Sequence, residues 1–139
     1  MTLFGIEFQL RENTRFEDDS NQGLEPLTLA DLGIGDELEI RGFRDGAGAI
    51  LTQVEREDAE VDAELRGPIT GIDAAAQTLE ILGTTIQTNA MTSYSDEQDN
   101  TLTASEFFSR IEVNTFVSAD WDVFAGLSVA VDSLSLEDD

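Results

Sequence analysis

Thirty aspartates and glutamates are the only abundant side chains in this sequence that could move protons or hold a metal. Seven arginines oppose them, giving a formal net charge of -23. Histidine, cysteine and lysine are absent. That removes disulfides, thiolate and imidazole metal sites, cysteine nucleophiles and every histidine-based triad. What is left is carboxylate chemistry. Paired carboxylates can act as general acid and base when burial pushes their pKa values apart. Here the pairs recur every second residue, as in Glu37/Glu39 and Glu60/Asp62/Glu64. That period puts them on the outer face of strands, in water, where little perturbs them. They are expected to guard strand edges against wrong pairing rather than to catalyse, and the chain does not read as an enzyme.

No cofactor is expected, though calcium is possible, because it binds six to eight oxygens that acidic loops can supply. Two acidic loops, FEDDSN at 16–21 and YSDEQDN at 94–100, offer Asp18, Asp19, Asp96 and Asp99 as weak ligand candidates. Neither loop has the spacing of a helix–loop–helix calcium site, so both are expected to be solvated acidic loops without a cofactor. The acidity repels phosphate backbones and anionic lipid, which argues against nucleic-acid partners. No run of about 18 apolar residues occurs, so no membrane insertion by a helix is expected. MTLFGIEFQL has neither a basic start nor a small-residue cleavage site and does not read as a signal peptide.

Aromatic residues are few, and Phe4, Phe8, Phe16, Phe43, Phe107 and Phe108 fall at apolar-phase or helix positions expected to be core. The Gly-rich stretches GIGD and DGAG lack a strand–glycine–helix context and read as turns.

The elements that position these residues come in two copies. GIEFQLRENTRFEDD from Gly5 lies over GTTIQTNAMTSYSDE from Gly83, matching Thr14 with Thr92, Phe16 with Tyr94 and Asp18 with Asp96. LTLADL from Leu27 lies over LTASEF from Leu102, and GAGAILTQVERED from Gly46 over GLSVAVDSLSLED from Gly126. In the same comparison Trp121 aligns with Phe43. Alternating segments read as strands, among them Ile6–Phe8–Leu10, Leu38–Ile40, Val61–Ala63–Leu65 and Leu127–Val129–Val131. TLAD and TASE each open a short helix with a capping-box pattern, the second better because its acid is glutamate.

The second copy, from about residue 59 to 139, therefore reads as five strands and one helix, the element order of an OB-type barrel. The first, residues 1–58, has no counterpart of ELRGPITGID. The fold class is all-β with one short helix per repeat: two tandem OB-like barrels, the first lacking its opening strand. A barrel short of a strand exposes unpaired backbone that invites another strand. Ile6, Phe8 and Leu10 near the N-terminus, Val61 and Leu65 in the seam strand, and Leu134 and Leu136 near the C-terminus are the residues expected to make that pairing.

ELRGPITGIDAAAQTLEILGTTIQT resembles the opening hairpin of domain of unknown function 5666, whose usual form is V-x-G-x-V-T-x-V-D, then T-x-T-V-x-G-x-x-V-x-V. TRFEDD, LTLADLGIGDELEIRGF and RDGAGAILTQVERED resemble the rest of that unit. SRIEVNTFVSADWD departs from its usual G-D-x-V-E-V-x-G. The resemblance implies small β-barrel repeats and an extracellular, periplasmic or cell-surface location, and brings no catalytic residues. Together these readings predict a non-catalytic structural module that self-associates through strand edges into an oligomer or filament. The alternative is a monomeric module binding a small ligand or oligosaccharide on a barrel face.

Overall fold

Each half of the chain is organised around the same tight hairpin. The computed structural model describes residues 1–46 and 48–138 and divides into two compact units, Met1–Glu60 and Val61–Asp139.

Unit 1 holds β1 (Thr2–Leu3), β2 (Ile6–Asp18), β3 (Glu37–Asp45) and β4 (Gly48–Glu57), with a 3-10 turn at Leu29–Asp31. They form one sheet in the order β1-β2-β4-β3. β2 runs parallel to β4, and β3 runs antiparallel to it. Unit 2 holds β5 (Ala63–Asp73), β6 (Thr78–Ile81), β7 (Thr84–Ile86), β8 (Ser93–Ser95), β9 (Thr101–Leu102), α1 (Ala104–Arg110), β10 (Phe116–Trp121) and β11 (Ser133–Leu136). Its sheet order is β7-β6-β5-β10-β11-β8-β9. β7 and β8 lie far apart in that order, yet only residues 87–92 separate them along the chain. The sheet therefore curls back on itself, and β7 with β8 acts as one bent strand of a five-stranded OB-type barrel.

The duplication is written into the backbone. Phe4–Gly5 and Leu82–Gly83 join β1 to β2 and β6 to β7, and all four residues have positive φ, from 52° to 81°. This is the mirror-image turn whose twist suits a two-residue hairpin, and glycine takes its second position without steric cost. Thr14 and Thr92 are buried at matching places. The Thr14 hydroxyl accepts from the Arg11 N–H and donates to the Leu51 carbonyl, at 2.9 and 2.7 Å. Thr92 does the same with Asn89 and Val131, at 3.0 and 2.8 Å.

The two caps differ as their acids do. Thr103 accepts from the Glu106 N–H while Glu106 accepts from the Thr103 N–H, starting a seven-residue α-helix. In unit 1 the shorter Asp31 side chain takes both the N–H and the hydroxyl of Thr28. Only three residues of 3-10 helix follow before Gly33.

One expected strand is shorter than its alternation predicts. Leu127, Val129 and Val131 precede β11 instead of extending it, and Val129 is exposed. Local bonds hold this segment off the ladder: the Trp121 Nε1–H donates to the Val129 carbonyl, and the Asp122 N–H donates to the Asp132 carboxylate.

The cores are unequal. Among the described residues, fifteen apolar side chains are buried in unit 2 and six in unit 1: Ile6, Phe8, Leu27, Ile50, Leu51 and Val54. Tyr94 lies buried beside Phe107 and Phe108, and its hydroxyl finds no hydrogen-bond partner among the described residues. Tyr94→Phe is therefore expected to stabilise unit 2 by about 1 kcal/mol, since a buried unsatisfied hydroxyl costs that much or more. A denaturant titration that found the variant weaker would show that the hydroxyl is satisfied.

Candidate functional site

Strand registers, rather than sequence alignment, match the two repeats residue by residue. Phe16 pairs with Val54 across β2 and β4, and Tyr94 pairs with Leu134 across β8 and β11. Val54 then faces Ile40 on β3, and Leu134 faces Ala119 on β10. So Leu38, Glu39, Ile40 and Arg41 occupy the places of Val117, Ser118, Ala119 and Asp120. Counting on by one, Gly42 stands in the place of Trp121. The alignment of Phe43 with Trp121 is off by one residue. A Cβ on Gly42 would lie 2.2 Å from the Ile50 carbonyl oxygen, so no side chain fits there. Phe43 is not core: it is 48% exposed, under the Arg11 guanidinium at 5.8 Å, while Trp121 is 1% exposed.

What differs between the two places is the neighbouring strand. In unit 2 β5 lies antiparallel beside β10, with Gly67 opposite Val117 and Leu65 opposite Ala119. Val117 and Ala119 are fully buried as a result. Beyond Pro68 the same strand pairs with β6, Ile69 facing Ile81. β5 thus bridges the strands equivalent to β3 and β1. In unit 1 those two strands are the two ends of the sheet. Leu38 and Ile40 are only partly covered. The outer face of β3 carries Glu39 and Arg41, ion-paired to each other at 2.8 Å and well exposed. Glu39 holds the Arg41 guanidinium above its ordinary pKa.

The residues expected to make the pairing lie elsewhere. Ile6, Phe8 and Leu10 sit in β2, inside the sheet, where Ile6 faces Leu3 and the other two face β4. Leu65 is buried in β5 opposite Ala119, and Leu134 and Leu136 belong to β11, between β10 and β8. Val61 precedes β5 and is exposed, and its carbonyl accepts from the Phe124 N–H. Among the described residues, unit 1 has no counterpart of β5. Sequence reading missed that an opening strand has as its neighbour a strand some forty residues further on, which only the sheet order shows.

The four metal candidates are not gathered into one site. Asp18 is committed to Arg56: Nη2 lies 2.5 Å from Oδ2, Nε donates to Oδ1 at 3.2 Å, and both side chains are buried. Asp18 also accepts from Ser20 and Leu24, and these bonds, Arg56 foremost, hold its carboxyl well below the usual carboxylate range. Asp96, its counterpart, accepts from the Asn100 N–H, the Asn100 amide and the Gln98 N–H, with Arg110 3.9 Å away, so its pKa is lowered too. Asp99 takes a positive φ of 62° in the same loop, its N–H donating to the Asp96 carbonyl.

Among the described residues, Asp19 is the one of the four that joins a cluster, with carboxylate oxygens of Glu55 and Glu57 within 4.8 Å of one another. Three carboxylates are half of what calcium requires, so a cation here would keep several waters. Burial, and then repulsion by Glu55 and Asp19, pushes the Glu57 carboxyl up. An acid with a raised folded-state pKa disfavours folding once it ionises. Glu57→Gln is expected to raise the melting temperature at neutral pH, with the gain vanishing as the pH drops below about 4, where Glu57 is protonated folded or unfolded. A gain that persists at pH 3 would show a packing effect instead. The cleft beside Arg56 is walled by Asp36, Glu37, Glu57 and Asp58, an unsuitable place for an anionic ligand.

A duplicated all-β chain of OB-type order, with one repeat carrying its opening strand and the other without a counterpart of it among the described residues, is the class this geometry defines. The chain belongs to the family described as domain of unknown function DUF5666, whose family model matches residues 1–53 and residues 66–132. No curated protein and no solved structure matches the chain.

Proposed function

We propose that the protein is a non-catalytic, extracytoplasmic interaction module that assembles by taking an additional β-strand along β3, giving an oligomer or a filament. One observation carries this reading: Leu38 and Ile40 are partly open at the places where β5 seals Val117 and Ala119. An edge strand with unpaired backbone and half-covered apolar side chains is a template for strand addition. The small core of unit 1 supports the same reading, because an added strand would complete it. No bound cofactor enters this reading, and the surface carboxylates serve solubility and edge protection.

Amide hydrogen exchange across a concentration series, run beside sedimentation, tests it. At low concentration the outward amides of residues 38–44 are expected to exchange far faster than those of β10. They should become protected as chains associate. A chain that stays monomeric at millimolar concentration with β3 protected as well as β10 would sink the proposal.

A further inference from the structure

Resting on the reading of β3 as an acceptor edge, we infer that its partner is an opening strand of the β5 kind from another repeat: an antiparallel segment carrying Glu-apolar-Arg-Gly in the register of residues 64–67. The first argument is topological. β5 pairs with β10 through its first half and with β6 through its second. The unit 1 counterparts of those strands, β3 and β1, are the two open ends of one sheet. A β5-type strand closes both ends at once, with the residue equivalent to Ile69 reaching Leu3. A second copy of β3 would cover only one.

The second argument is charge. Transferring the β5–β10 register onto β3 sets Gly67 opposite Leu38, Arg66 opposite Glu39, Leu65 opposite Ile40 and Glu64 opposite Arg41. Both charged pairs are then of opposite sign. In unit 2 the same strand makes a worse match. Glu64 faces Asp120 there, a like-charge pair, and burial first and Glu64 second raise the Asp120 pKa. Arg66 faces Ser118, whose hydroxyl turns to Glu64 and Asp120, and its acidic partner Glu137, 3.4 Å away, is not the residue directly opposite. β3 therefore suits the charges of a β5-type strand better than β10 does. Directly opposed unlike charges favour one register, and like charges disfavour it.

The test uses the full chain and a synthetic peptide of residues 61–73. The peptide is expected to bind saturably and to slow amide exchange at residues 38–44 and 2–3 together, leaving unit 2 unchanged. The variant Glu39→Arg with Arg41→Glu keeps the net charge and alters two exposed side chains, so its folding is checked by circular dichroism. It should bind the peptide roughly tenfold more weakly, as two cross-strand pairs change sign. A peptide carrying Glu64→Arg and Arg66→Glu should restore the affinity. If the reversed variant binds the native peptide as well as the native chain does, this inference is overturned. If the peptide fails to bind while the chain self-associates with β3 protected, the partner is a second β3: this inference falls and the acceptor-edge reading stands. If neither peptide nor concentration protects β3, both fall.

Discussion

Replacing Trp121 with alanine is expected to destabilise unit 2 by about 3–5 kcal/mol, the usual cost of emptying a buried indole site. Trp121 is 1% exposed, packs edge-on to Phe124 at 5.3 Å between centroids, and donates from Nε1 to the Val129 carbonyl at 3.2 Å. Alanine removes the packing and leaves that carbonyl without the bond. Phe43→Ala should cost less than about 1 kcal/mol, because a half-exposed ring leaves no closed cavity behind. Denaturant unfolding followed separately by amide exchange in β10 and β3 distinguishes the two effects. Equal losses would mean that Phe43 is covered in solution, as it would be in an assembled form.

Asp18→Asn is expected to lower the melting temperature of unit 1 by on the order of 10 °C, because it removes the closest and doubly bonded carboxylate from a buried guanidinium. Arg56 is 4% exposed, and its next acidic neighbour, Asp36, is 3.8 Å away. The guanidinium also donates to the Asp31 carbonyl and the Gln22 side chain, so this pair ties loop 19–36 to the sheet. The second repeat solves the same position differently. Leu136 takes the place of Arg56, and Asp96 relies on backbone and amide donors. Pairing Asp18→Asn with Arg56→Leu should therefore recover most of the loss. A double variant no better than the single one would show that Arg56 acts chiefly through Asp31 and Gln22.

The acid dependence follows from the same pair. A carboxylate whose folded-state pKa is depressed adds stability above its unfolded value, and that stability drains away as the pH falls toward the folded value. Native unit 1 should thus weaken progressively below about pH 4, the ordinary aspartate range. The Asp18→Asn variant should lose less over the same interval. Identical acid slopes for the two proteins would remove Asp18 as the cause.

Much of this was legible in the residues alone. Alternation marked Leu38–Ile40 and Ala63–Leu65 as strands, because a pleated backbone sends successive side chains to opposite faces. Gly5 and Gly83 head matching blocks, and the structure puts both at the second position of a hairpin turn that needs positive φ. Thr103 with Glu106 marked the helix start, because those two side chains satisfy each other's backbone donors. Matching blocks revealed the duplication, and ELRGPITGID stood out as the segment with no match in the first block.

The sheet order is what no local pattern carries. A strand's neighbours are set by hydrogen bonds between distant segments, so the sequence could not say that β3, rather than β2, is the counterpart of the strand that β5 pairs with. Nor could it say that Gly42, and not Phe43, matches Trp121: that follows from Ile40 facing Val54 and Ala119 facing Leu134, pairings that show only once the strands are in register. The same holds for Asp18, whose type suggested a metal ligand. Folding brought Arg56 against it from 38 residues away, and the carboxylate became a tie for the loop. Composition and period determined the elements and the repeat; pairing across the sheet decided which edge stays open and which acids are already spoken for.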